Sequence, residues 1–67
     1  MSLSIIFGII FELLRNKRVQ AKDLASKFEV STKSIYRYID AVGAGGFPVV
    51  TYQGKNGGIS IDSNYLL

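Results

Sequence analysis

Lys33 and Arg37 stand four residues apart, with Ser31, Thr32, Ser34 and Tyr36 around them. Two cations one helical turn apart, set among hydroxyls, suit an anionic partner that accepts hydrogen bonds. The guanidinium of Arg37 carries a donor fork that matches guanine O6 and N7, a contact worth about 1–3 kcal/mol of discrimination. It matches a phosphate equally well. An ion pair with Asp40, three residues on, or plain solvation are the other roles open to it. Ser31, Thr32 and the first amides of the helix they open are placed to hold a phosphate. Lys22 is either a second anchor or an ordinary surface lysine. Lys55 and Asn56 lie in the run Gly54-Lys55-Asn56-Gly57-Gly58, the tip of a hairpin that can enter a minor groove or track a backbone. A tight hairpin requires such glycines in any case.

The inventory excludes much other chemistry. The 67 residues contain no Cys and no His. Disulfides, thiolate sites and imidazole acid–base or metal chemistry are therefore ruled out. The five carboxylates are scattered and form no paired-acid motif, so neither catalytic residues nor metal ligands are assigned. No cofactor is expected, and this inventory does not suit an enzyme. Gly54–Gly58 lacks the phosphate-loop pattern, and Gly43-Ala44-Gly45-Gly46 ends a helix rather than opening one. With 48% hydrophobic and 19% charged residues, the chain is too apolar for a disordered tail. Residues 3–14 are nearly all apolar, yet twelve residues are too few to span a bilayer, and no membrane partner is expected.

Charge is unevenly spread. Residues 15–37 hold seven cations against two carboxylates, a net of +5, while the remainder comes to −2. Such gathering is an electrostatic footprint for a polyanion, or else a solvated basic face.

The elements that must carry these residues follow from periodicity. Helix one is expected over residues 4–16, with Ile6, Ile9, Ile10, Leu13 and Leu14 as its buried stripe. Phe7 and Phe11, with Leu3 and Leu14, make a second apolar stripe. It either completes the core or packs on a second subunit or another domain. Arg15 suits the negative end of this helix. Arg18-Val19-Gln20 reads as a short edge strand. Helix two spans residues 21–28, with Ala21, Leu24, Ala25 and Phe28 inward. Only Glu29-Val30-Ser31 separates it from helix three, residues 32–44, for which Ser31 is the N-cap. With Ile35, Ile39 and Val42 turned inward, Lys33 and Arg37 point almost directly outward. Gly45, Gly46 and Pro48 end helix three. Residues 49–53 and 59–62 read as a hairpin with a type I′ turn at Asn56-Gly57. That turn puts Tyr52 opposite Ile61 and Gly54 opposite Ile59, with Val50, Tyr52, Ile59 and Ile61 on one face. Two helices joined by three residues, followed by a hairpin, make an α+β winged helix-turn-helix in one domain.

The runs Lys22-Asp23-Leu24-Ala25, Phe28-Glu29-Val30-Ser31-Thr32, Ser34-Ile35-Tyr36-Arg37-Tyr38-Ile39-Asp40, Gly46-Phe47-Pro48-Val49 and Gly57-Gly58-Ile59 carry a resemblance. Over residues 5–67 the chain resembles the N-terminal winged helix-turn-helix of bacterial regulators with a C-terminal WYL domain, grouped with DeoR-type regulators. The resemblance implies a cytoplasmic transcription factor that binds double-stranded DNA. It also implies a chain truncated from a longer regulator, with its C-terminal effector domain missing. Homodimers through helix one or through that domain are expected. Ser31, Thr32, Lys33, Ser34, Tyr36 and Arg37 match its recognition helix, and Lys55 and Asn56 its wing tip. Tyr38 departs from the acid usual in the family, and by the helical wheel lies at the edge of the buried face. Gly43 and Gly45 weaken the end of helix three by about 0.5–1 kcal/mol each relative to Ala.

The leading expectation is sequence-specific binding of duplex DNA. The alternative is a protein-interaction or dimerisation module using the apolar helix one. Single-stranded RNA is disfavoured because the hairpin shows no platform of paired aromatics.

Overall fold

The computed structural model describes residues 2–54 and 57–62. Three helices, α1 (Leu3–Arg15), α2 (Ala21–Phe28) and α3 (Thr32–Ala44), precede two strands, β1 (Val49–Tyr52) and β2 (Gly58–Ile61). This is the winged helix-turn-helix arrangement that the sequence implies.

In α1, Ile9 and Leu13 are buried, and Ile5 and Ile6 pack partly against the core. The inward direction is thus turned toward Ile5, away from the expected centre. Leu14 is consequently 47% exposed, not buried, and Ile10 is half-buried. The helix is apolar on nearly every side, so hydrophobic periodicity alone could not fix its rotation. Phe7 and Phe11 are 66% and 67% exposed, so they do not complete the core.

Ala21, Leu24 and Ala25 face inward from α2. Phe28 is half-buried, and its ring lies against Gly8 of α1. A Cβ built on Gly8 would fall 2.6 Å from Phe28 Cε1, so this glycine is what lets the ring in. The short segment after α1 also behaves as expected. Val19 pairs with Ile59, its N–H donating at 2.9 Å and its carbonyl accepting at 2.7 Å.

The turn between α2 and α3 closes through the backbone. Glu29 adopts the left-handed conformation (φ 56°, ψ 45°). Its N–H donates to the Ser26 carbonyl, and the Val30 N–H donates to the Ala25 carbonyl at 3.0 Å. This pair of bonds satisfies carbonyls that the helix end would leave open. Val30 packs partly against the core beneath the turn. In α3, Ile35, Tyr38, Ile39 and Val42 are buried. Tyr38 therefore belongs to the core, and its hydroxyl accepts from the Ser2 N–H at the start of α1.

The hairpin register differs from expectation. Val49 pairs with Ile61, Val50 with Ser60, Thr51 with Ile59 and Tyr52 with Gly58. The shift is three residues. An odd shift reverses the faces, so Val50 and Tyr52 lie opposite to Ile59 and Ile61 rather than beside them. Ile59 and Ile61 are the buried pair. The loop end of the strands is correspondingly longer than a two-residue turn. Five residues, 53–57, separate the paired Tyr52 and Gly58. Gly54 takes φ +97°, and the Gly57 N–H donates to the Gly54 carbonyl. The type I′ turn expected at Asn56-Gly57 involves a residue outside the described set.

Candidate nucleic-acid interface

The start of α3 is fixed by its cap. Ser31 is extended, and its Oγ accepts from the Ser34 N–H at 3.1 Å. The same hydroxyl lies 3.1 Å from the Ser34 hydroxyl, to which it donates. The Ser31 side chain is thus committed to the helix. What the helix start still offers a ligand is its first backbone amides, which have no carbonyl partner within the helix. Positive potential at that end favours an anion.

Beyond the cap, burial of Ile35, Tyr38 and Ile39 turns Thr32, Lys33, Tyr36 and Arg37 outward. All four are exposed, and Ser34 is half-buried beside them. Among the described residues, neither Lys33 nor Arg37 makes an ion pair or hydrogen bond. The pair with Asp40 considered for Arg37 does not form there. Lys22 is exposed on the first turn of α2. Lys55 and Asn56 lie outside the described residues.

The rest of the basic segment is divided in use. Lys27 Nζ lies 2.7 Å from Glu12 Oε2, and Arg15 lies 3.8 Å from the same oxygen. The Lys27 hydrogen bond holds the Glu12 carboxyl below its ordinary range, with Arg15 and Asn16 assisting. Two of the seven cations are therefore drawn to Glu12, and one of them, Lys27, joins α2 to α1. Arg18 stacks over the Tyr52 ring at 3.9 Å from its centroid, a cation–π contact.

Sequence reasoning missed a cleft between α3 and the hairpin. Gln20, Tyr36, Thr51, Tyr52 and Gln53 line it, with Gly54, Gly57 and Gly58. The Gln20 side-chain amide donates to the Gly57 carbonyl. One signal was available. Residues two apart on a strand share a face, so Arg18 and Gln20 had to fall on the same side of the segment centred on Val19. Among the described residues no acidic cluster could hold a metal ion. No described helix is long and apolar enough to cross a membrane.

Comparison with known proteins agrees with this architecture. The chain is 43% identical over 67 residues to an uncharacterized HTH-type transcriptional regulator, YobV, of Bacillus subtilis (strain 168). The alignment covers all of this chain and 21% of that relative, so the chain spans about a fifth of the relative's length. No solved structure matches it significantly. Residues 7–60, from the exposed stripe of α1 through both helices of the turn into β2, match the HTH domain family, and the chain belongs to that helix-turn-helix family.

Proposed function

We propose that the chain binds double-stranded DNA in a sequence-specific manner, as the reading module of a bacterial transcriptional regulator. The observation that carries the reading is the outward face at the start of α3. Lys33 and Arg37 project there without intramolecular partners among the described residues, between Thr32 and Tyr36. A helix in the major groove presents such a face to base edges, and its N-terminal amides to phosphate. Ser31, Ser34 and Lys22 complete the surface, and Lys55 and Asn56, outside the described residues, are assigned to the same contact. The hairpin then lies on the backbone or in the minor groove. The name of the Bacillus relative supports the regulatory role. The resemblance to DeoR-type regulators with a WYL effector domain extends the proposal to a longer, cytoplasmic protein.

Selection of duplexes from a random pool, followed by footprinting, tests this reading. An enriched site is expected, and its affinity should fall steeply with salt. For roughly 4–6 neutralised phosphates the logarithmic slope is near −0.9 per phosphate. A slope near zero, or no enrichment, rejects it.

One observation favours a second, compatible reading. Leu3, Phe7, Phe11 and Leu14 form an exposed apolar stripe along α1. Spacings of four, four and three residues put them on one helical face. Antiparallel pairing of this stripe with a second copy would bury both stripes about a two-fold axis, the commonest symmetry of oligomers. Sedimentation should then show a dimer that Phe7→Ser and Phe11→Ser dissociate. A monomer at all concentrations excludes it.

A further inference from the structure

We infer that Gln20 is the residue that positions the hairpin for DNA, an inference that rests on the DNA-binding reading above. Three consecutive residues between α1 and α2 grip the hairpin at three places. Arg18 crosses Gly58 and reaches the Tyr52 ring. Val19 exchanges both backbone hydrogen bonds with Ile59. Gln20 donates its side-chain amide to the carbonyl of Gly57, and so reaches the loop end of the hairpin.

Gln20 also occupies the N-cap position of α2, where it forms no side-chain capping bond. Ser, Thr, Asp or Asn would serve that helix better. The side chain is turned to the hairpin instead. The fit it holds is close. A Cβ on Gly57 would fall 2.5 Å from the Tyr52 carbonyl oxygen and 2.9 Å from that of Gly54. The loop base therefore has a defined position, and Gln20 ties that position to the start of α2.

Gln20 shares one cleft with Tyr36 of α3 and with Thr51, Tyr52 and Gln53 of the hairpin. While Val19 holds the middle of β2, the loop end of the hairpin is thus tied at Gln20, beside the reading face of α3. A hairpin held there meets the duplex already ordered. One released from α2 must be ordered on binding, at a cost in affinity. Gln20 need not touch the duplex to have this effect.

The test is fluorescence anisotropy across a salt series, with the wild-type chain, Gln20→Met and Lys33→Ala. The probes are the duplex recovered from a random pool and a mixed-sequence duplex. Gln20→Met keeps the length of the side chain and removes the amide. It should weaken binding to both probes about three- to tenfold and flatten the salt slope by about 0.9, one phosphate contact. Gln20→Asn, whose amide is one methylene short, should reproduce the loss, and it carries the test if Gln20→Met does not fold. Circular dichroism establishes the folded state of each variant. A variant that unfolds at lower temperature but keeps the wild-type salt slope, measured well below its transition, overturns the inference. So does wild-type affinity. If Lys33→Ala weakens binding and the Gln20 variants do not, only the positioning role is lost. If the wild-type chain binds neither probe, the DNA-binding reading fails and the inference falls with it.

Discussion

The Lys27 ammonium lies 2.7 Å from the Glu12 carboxylate and joins α2 to α1 across fifteen residues of sequence. Arg15 and the Asn16 amide approach the same carboxylate, which puts three donors around one acceptor. The Glu12 pKa is lowered in the folded chain, chiefly by the Lys27 hydrogen bond. A group whose pKa is lower folded than unfolded stabilises the fold fully above its unfolded value, and loses that contribution as pH falls through the folded one. Thermal unfolding should therefore separate the wild-type chain from Glu12→Gln at neutral pH, with the wild type the more stable. The gap should close as the pH is lowered below the ordinary glutamate range. A gap constant from neutral to strongly acidic pH would show that the carboxylate charge contributes nothing.

Glu29 is the described non-glycine residue with positive φ, at 56°. For an L-residue the left-handed region costs about 1–2 kcal/mol, whereas glycine enters it freely. Glycine gives part of this back through its greater freedom in the unfolded chain. Glu29→Gly should thus stabilise the domain by roughly 0.5–1 kcal/mol, measured by chemical denaturation. Glu29→Val should destabilise it, because a β-branched side chain resists this conformation. Removing an acid next to the α3 N-terminus should leave DNA affinity equal or higher. Destabilisation by Gly would mean that the side chain does something the backbone geometry does not reveal.

The hairpin register makes its own prediction. Gly57 lies against the Tyr52 and Gly54 carbonyls, and Gly58 takes φ +151° with the Arg18 stem where its Cβ would be. Gly57→Ala meets backbone, which cannot swing aside, so the hairpin must deform. An overpacked site of this kind costs typically about 1–3 kcal/mol. Gly58→Ala should be destabilising too, since it combines a strained backbone with displacement of Arg18 from the Tyr52 ring. Gly43→Ala is the control. Its Cβ meets nothing within 4 Å, and α3 continues through it, so helix propensity alone should stabilise by about 0.5–1 kcal/mol. Equal effects at all three positions would contradict the register.

How much of this was legible in the sequence depended on where local signals sufficed. The bounds of α2 and α3 follow from Ser31, from the apolar spacing of Leu24, Ala25, Ile35 and Ile39, and from Gly45. Each of these acts within one or two turns of the chain. The rotation of α1 was not legible, because apolar residues surround it and only its packing against β2 and α3 selects Ile9 and Leu13. The hairpin register was not legible either. Asn56-Gly57 is a local signal, whereas the observed pairing depends on Val19 and Arg18, some forty residues away. For the candidate site, the outward cations of α3 could be read from the direction of Ile35. Gln20 could be read only as lying on the same side of the short strand as Arg18, since its role depends on a contact with Gly57.

Lys33 and Arg37 share a face of α3 but should fail differently when removed. Lysine carries a compact charge that meets phosphate from many directions, whereas the planar arginine fork fits guanine and phosphate alike. Lys33→Ala should weaken binding almost equally on all duplexes and flatten the salt slope by about 0.9. If Arg37 reads a base, Arg37→Ala should cost about 1–3 kcal/mol on the selected site, with little loss on unrelated duplexes, and relax the preference at one position. If Arg37 holds a phosphate, its loss should instead follow the pattern of Lys33→Ala. Both residues are exposed and unpaired among the described residues. Each truncation should therefore leave stability within about 0.5 kcal/mol of the wild type, which separates an effect on binding from an effect on folding. Wild-type binding by both variants would remove α3 from the interface and with it the reading of this face.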